Sequence, residues 1–264
     1  MNYIDILNNK LLKGPLNIIQ YNSILENGKT FFDSVDLETE QLISSGYPIY
    51  FSENFVHLKT KENLIKDQVF CVVDIETSGG NPKTGQIIEI AAIKYKNGII
   101  IEEYESLVYC KNIPKKVQEI TGITPEILED APSLKNVLEE FRIFIEDDVF
   151  VAHSVDFDYN FISESLEKHH LGKLANRKIC TIDLAARTIE AEKYGLKSLK
   201  ELLNIDIENH HRAYEDALST VEVLKATLEI LDTQLISSTE DLIAFSKNAP
   251  TIETIRKNKE RENA

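Results

Sequence analysis

The chain has 264 residues, with 29 Lys+Arg against 44 Asp+Glu and a formal net charge of −15. Hydrophobic residues make up 42%, enough for a buried core, so wholesale disorder is excluded; the acidic balance excludes electrostatic coating of long nucleic acid or of an acidic membrane surface. No stretch approaches the roughly 20 apolar residues of a membrane helix, the first ten residues lack a signal-peptide pattern, and Cys71, Cys110 and Cys180 form no CxxC, so a reducing cytoplasm is the expected setting.

Residues 1–59 carry two or three short helical patterns. Asp36 is expected to cap the last, and Gly46 to stop it. Tyr47 to Phe51 and Phe55 to Leu58 then read as a hairpin around Ser52-Glu53-Asn54, an order resembling a small winged-helix-like module. Residues 60–68 (TKENLIKDQ) are polar and read as a linker. From 69 to 232 the pattern is α/β. Val69 to Val73 is a buried strand by length and by the Gly-Gly-Asn-Pro that follows it. Ile87 to Tyr95 and Ile99 to Val108 are strands joined by Asn97-Gly98, a type I′ hairpin signal. Pro114 starts a short helix, and Ser133 caps a longer one with Leu134, Val137, Leu138, Phe141 and Ile145 on one stripe. Val149 to Ala152 is a strand, Asp156 to Glu167 a helix, and Arg212 to Leu231 a last helix with Leu218, Val221, Leu224, Leu228 and Leu231 on one face. Residues 233–264 are a C-terminal helix and tail. Thr239 to Lys247 is its amphipathic part, either a tether to a polymerase or a surface helix with a frayed end.

Acidic residues cluster at three places. The first strand of the α/β segment ends in Asp74-Ile75-Glu76-Thr77, and strand alternation puts both carboxylates on one face. Two adjacent carboxylates repel unless a cation lies between them, and hard oxygen ligands favour Mg²⁺ or Mn²⁺. With 44 acids in the chain, an Asp-x-Glu also arises by chance, so the pair alone decides nothing. The second place is His153-Ser154-Val155-Asp156-Phe157-Asp158, where a strand passes into a helix; Asp156 suits the first turn of that helix, and Asp158 is less easily explained as a cap. The third is His211-Arg212-Ala213-Tyr214-Glu215-Asp216, a loop histidine five residues before a helix acid.

Taken together the three segments resemble the motifs of the DEDDh family of 3′→5′ exonucleases, and within it the proofreading exonucleases of bacterial replicative DNA polymerases. The likeness covers about residues 69–232 and extends to Ile87-Ile88-Glu89-Ile90, Thr121-Gly122-Ile123-Thr124, Leu196-Lys197-Ser198-Leu199 and Asn209-His210-His211-Arg212-Ala213. It implies a ribonuclease H-like fold, a mixed sheet flanked by helices. Carried over by position, Asp74, Glu76, Asp158 and Asp216 become the catalytic, metal-binding acids and His211 the general base. His210 is a spectator, because only His211 has the five-residue spacing to Asp216. Thr77 matches the residue that touches the terminal nucleotide, and Thr121 is a second substrate-side candidate. Two departures bear on substrate preference: Ser78-Gly79-Gly80 stands where the family has an apolar wedge, and His153-Ser154 where it has His-Asn.

Phosphodiester hydrolysis needs an activated water and a stabilised leaving alkoxide, and two divalent ions about 4 Å apart supply both. In this reading Asp74 bridges the ions, Glu76 and Asp216 complete one site, and Asp158 supports the other. His211 takes the proton of the attacking water, a role that an imidazole suits near neutral pH. The implied protein is a Mg²⁺- or Mn²⁺-dependent 3′→5′ exodeoxyribonuclease. It releases nucleoside 5′-monophosphates in replication proofreading or DNA repair, on single-stranded or mispaired DNA 3′ ends, with the replicative polymerase as a partner. The alternatives are an RNA 3′-end exoribonuclease of the same fold and a catalytically silent scaffold that binds nucleic-acid ends or a polymerase. Residues 69–232 carry 18 Lys+Arg against 30 Asp+Glu, which argues against a long basic track. The expected footprint is a few 3′-terminal nucleotides, so binding should weaken only gently with salt; a steep plot of log K against log salt, as for a protein that neutralises many phosphates, would overturn the short footprint.

Overall fold

The structure, a computed structural model, describes residues 3–28, 34–207, 211–232 and 234–262. Helix α1 (Tyr3–Leu11), strand β1 (Leu16–Asn17), helices α2 (Ile18–Asn27) and α3 (Val35–Ser44), and strands β2 (Ile49–Ser52) and β3 (Phe55–Leu58) come first. The strands pair antiparallel in the order β1-β3-β2, over a core that includes Leu7, Leu11, Tyr21, Leu42, Tyr47 and Val56. The cap of α3 is Ser34, whose hydroxyl accepts the Leu37 N–H. Asp36, expected in that role, lies two residues further on in the first turn, where its charge favours the helix dipole instead. Gly46 follows the helix with φ +85°, a left-handed conformation that suits glycine. The 60–68 segment is folded rather than an open linker: α4 (Lys59–Glu62) and a 3-10 turn (Ile65–Asp67) carry it, and Thr60 is fully buried.

Strands β4 (Phe70–Thr77), β5 (Ile87–Lys96) and β6 (Ile99–Leu107) form consecutive antiparallel pairs, with Asn97 (φ +47°) and Gly98 (φ +89°) making the tight turn between the last two. Next come α5 (Lys115–Thr121), α6 (Leu134–Ile145), β7 (Val149–Ala152), α7 (Val155–Lys168), β8 (Lys178–Cys180), α8 (Thr181–Thr188), α9 (Leu196–Leu203), α10 (Ala213–Ile230), α11 (Thr239–Asn248) and α12 (Ile252–Glu262). Strands β7 and β8 join β4 in parallel, giving a mixed five-stranded sheet in the order β6-β5-β4-β7-β8. Because helices cover both faces, β4 reads as a continuous apolar run rather than an alternating one. Cys71, Val73 and Ile75 face the α6 and α7 side, against Val137, Phe141, Phe161 and Ile162. Phe70 and Val72 face α10, against Ala217, Val221 and Leu224. Ser133 caps α6 as expected. Among the described residues no helix is long and apolar enough to cross a membrane.

The tail departs from the surface-helix expectation. Leu242 and Ile243 of α11 are buried in the same core as Phe70 and Leu224. Glu240, also buried, accepts hydrogen bonds from Thr60 Oγ1 (2.6 Å) and from Arg177 Nε (2.7 Å) and Nη2 (2.6 Å), tying α11 to α4 and to the chain entering β8. A hydrophobic pattern cannot show this, because three of the five buried residues of α11 are Thr239, Glu240 and Ser246, polar residues that are hydrogen-bonded inside. Glu240→Ala would leave the Arg177 guanidinium buried without its bidentate partner, so a loss of about 3–5 kcal/mol in chemical denaturation is expected. A change within about 0.5 kcal/mol, typical of a surface substitution, would show that α11 is not part of the core.

Candidate active site

The acids meet at the carboxyl end of β4. Strand alternation places Asp74 and Glu76 on the face of Phe70 and Val72, towards α10. The ladder shifts register between Glu76 and Thr77, where the strand leaves the sheet. Asp158 enters from the first turn of α7 and is buried, with only 4% of its surface exposed. Asp216 enters from the first turn of α10, and its Oδ2 accepts the backbone N–H of His211 at 3.1 Å. A carboxylate oxygen of Glu76, one of Asp216 and a ring nitrogen of His211 lie within 4.8 Å of one another. His211 is exposed and has φ +67°, unusual for a residue with a β-carbon. Of the five expected residues, Glu76, Asp216 and His211 thus meet directly, and Asp74 and Asp158 lie near enough for charge to act between them and the others. His210 lies outside the described residues.

The electrostatics report the crowding. Burial, then the neighbouring charges of Asp158, Asp216, Glu76 and Glu89, push the Asp74 carboxyl well above the usual range. Burial raises Asp158 to about 8; backbone N–H groups, including that of Ile75, oppose the rise, and Glu76 adds to it. Burial, Glu89 and Asp216 raise Glu76 to about 7, against the pull of Arg212. Like charges gathered in low dielectric hold protons more tightly than in water.

The other sequence candidates fall as follows. Thr77 is half-buried at the end of β4, beside the acids. Thr121 is buried: its hydroxyl donates to Val117 O (2.9 Å) and accepts the Ile123 N–H (3.1 Å), closing the end of α5 before Gly122. A substrate contact there would come at the expense of that turn, so Thr121 is placed as a helix stop rather than an open contact. His153 is held by Thr181 Oγ1 (2.9 Å), and burial lowers its pKa to about 4, so it is neutral at physiological pH. The 78–86 loop closes on itself through Ser78 N to Gln86 O (2.8 Å) and Gln86 N to Ser78 Oγ (2.9 Å). A β-carbon at Gly80 would meet nothing within 4 Å, so no apolar wedge comes from that position.

Sequence reasoning missed Glu89 and Arg212. Glu89 lies on β5 directly opposite Glu76 and accepts from Arg212 Nη2 (2.6 Å) and from Ala213 N (2.9 Å), the first amide of α10. The available signal was a lone acid inside the apolar run Ile87-Ile88-Glu89-Ile90, since a charge in a buried strand needs a partner.

The sequence profile of an exonuclease family, RNase_T, matches residues 71–224. The DNA polymerase III subunit epsilon of Aquifex aeolicus is 35% identical over 176 residues, which is 66% of this chain and 87% of that protein. The PolC-type DNA polymerase III of Thermotoga maritima is 39% identical over 166 residues, covering 62% of this chain but only 12% of the polymerase. Among solved structures, E. coli Exonuclease I in complex with a dA16 oligonucleotide superposes with a TM-score of 0.56 at 17% identity, over 62% of this chain and 41% of that one. Exonuclease X in complex with 5′ overhanging duplex DNA gives a TM-score of 0.50 at 25% identity, over 61% of this chain and 91% of that one. The α/β fold is that of the ribonuclease H-like exonucleases, and the chain belongs to the RNase_T exonuclease family.

Proposed function

We propose that this chain is a divalent-metal-dependent 3′→5′ exonuclease that removes nucleoside 5′-monophosphates from DNA ends in replication proofreading or repair. The observation that carries the proposal is the meeting of Glu76, Asp216 and His211 within 4.8 Å, with the charges of Asp158, Asp216 and Glu76 acting on Asp74 beside them. The similarity to a polymerase III epsilon subunit and to a segment of PolC-type polymerases supports DNA as substrate and a replicative polymerase as partner.

The donor set fits Mg²⁺ or Mn²⁺: all four acids offer hard oxygens, and the raised proton affinities of Asp74, Glu76 and Asp158 mark negative charge that the protein alone leaves poorly compensated. Asp74, Glu76, Asp158 and Asp216 would hold the ions, which when bound would acidify water and stabilise the leaving 3′-oxygen. His211, exposed at the mouth of the cleft with its backbone fixed to Asp216, would take a proton on an imidazole nitrogen. Thr77 would touch the terminal nucleotide. Residues 1–59 would act as a winged-helix-like module that packs on the nuclease and docks a partner; their net charge of −3 counts against a DNA groove.

A gel with 3′- and 5′-labelled single-stranded DNA, RNA and mispaired duplex tests the activity. Laddering from the DNA 3′ end is expected, abolished by EDTA and reduced more than about 100-fold by Asp74→Asn. Preferential shortening of RNA would favour the RNA-trimming alternative, and no cleavage of any substrate the silent scaffold.

The metal-free protein should also respond to pH. Glu76 and Asp158 bind protons more tightly in the fold than in the unfolded chain, where carboxyls titrate at about 4. Folding therefore takes up protons, and stability falls as pH rises from about 4 to about 8. EDTA-treated protein is expected to melt several degrees higher at pH 6 than at pH 8, with Mg²⁺ raising the melting temperature at pH 8 and Asp158→Asn flattening the pH dependence. An equal slope in Asp158→Asn would place the titrating charge elsewhere.

A further inference from the structure

Glu89 is a fifth carboxylate beside the cleft, 6% exposed and opposite Glu76 across the β4–β5 ladder. It is not free to bind a cation. Arg212 Nε lies 3.0 and 3.2 Å from its two oxygens, Arg212 Nη2 lies 2.6 Å from Oε1, and Ala213 N lies 2.9 Å from Oε2. The bond to Ala213 caps α10 from another strand, in place of a local cap: Arg212 holds the N-cap position and makes no side-chain cap of its own. Arg212 is also the residue between His211, in its left-handed conformation, and the helix that carries Asp216. One carboxylate on β5 thus fixes both the start of α10 and the loop leading into it.

We propose that Glu89 and Arg212 are a positioning pair. They hold His211 and Asp216 as one unit against Glu76, and Arg212 balances the charge that Glu89 would otherwise add to the cleft. The proposal rests on the hydrolytic reading above and predicts that the pair acts on turnover rather than on substrate affinity. Partners that orient the residues of a metal site are typically worth about 10- to 100-fold in activity.

The test uses the full chain as wild type, Glu89→Gln, Arg212→Gln, Arg212→Lys and the double variant Glu89→Gln/Arg212→Gln. Cleavage of 3′-labelled single-stranded DNA in Mn²⁺ gives kcat and KM. Amide hydrogen exchange of the EDTA-treated proteins reads the 211–217 segment without any need for activity. Glu89→Gln and Arg212→Gln are expected to lower kcat about 10- to 100-fold with KM within about threefold, and to speed exchange at 213–216. Arg212→Lys, which keeps the charge but not the two-point contact, should recover part of the lost kcat, and the double variant should cost less than the product of the singles. Unchanged kcat in both single variants would overturn the proposal. So would faster exchange spread over the whole domain, which marks a merely structural pair. Should Glu89→Gln fail to fold, the Arg212 variants carry the test, since that side chain is 44% exposed. If the wild type cleaves nothing, the hydrolytic reading fails, while local exchange still shows whether the pair holds the helix start.

Discussion

Gathering like charges is the constraint on which the rest of this structure depends. Asp74, Glu76, Asp158 and Asp216 share one cleft, with Glu89 against its wall, and each raises the cost of ionising another. The fold meets that cost in three ways. Glu89 is paired with a bidentate Arg212, which pulls against the rise that Glu89 causes at Glu76. Asp158 and Asp216 sit in the first turns of α7 and α10, where the helix dipole favours negative charge. Backbone amides also point at the carboxylates: Ile75 at Asp158, His211 at Asp216 and Ala213 at Glu89. Neither α7 nor α10 has a side-chain cap from its own N-cap residue, whereas α2, α3, α6 and α11 do. At these two helix starts the acids of the cleft take over work that Ser or Asn does elsewhere in the chain.

Such an arrangement also requires a frame that does not relax away from the repulsion. Strand β4 supplies it. Its residues before Asp74 are buried on both faces, and Phe70 to Val72 pair on both sides, with β5 antiparallel and β7 parallel. The strand thus carries Asp74 and Glu76 out of a close-packed core, where a small displacement would open voids on one face or clash on the other. The cleft lies beyond the carboxyl ends of the parallel strands, the usual place for a ligand in sheets of this kind.

What was legible in the sequence is what is local. The three hairpin strands, the Asn97-Gly98 turn, the Ser133 cap and the three acidic segments are each written within a few residues. Their meeting was legible only through the order of the motifs. Three features were not. Glu89 and Arg212 are 123 positions apart, and only the packing of the start of α10 against β5 sets one beside the other. Helix α11 buries polar side chains that hydrogen-bond inward, so its apolar stripe is too thin to announce a core helix. Ser34 and Asp36 are both good N-cap residues, and the choice between them depends on where the chain turns rather than on composition.

The placement of the first 58 residues limits what they can do. Ser45 O accepts the Ala175 N–H at 2.7 Å, Gly46 packs against the Asn176 side chain, and Lys59 pairs with Asp147. Asp147 and Asn176 precede β7 and β8, so this segment docks at the amino ends of the parallel strands. The acids lie at the opposite, carboxyl end of β4, and eight strand residues span about 26 Å. A nucleic acid held on the N-terminal hairpin would therefore have to run the length of the sheet to reach the cleft, past a nuclease segment whose net charge is −12. That acidic balance argues against a positive track between the two ends, so on the hydrolytic reading the cleft takes its strand end locally. On the hydrolytic reading, prolonged contact with DNA then depends on a partner that already holds it, and the N-terminal face, far from the chemistry, is where such a partner could dock without blocking the cleft.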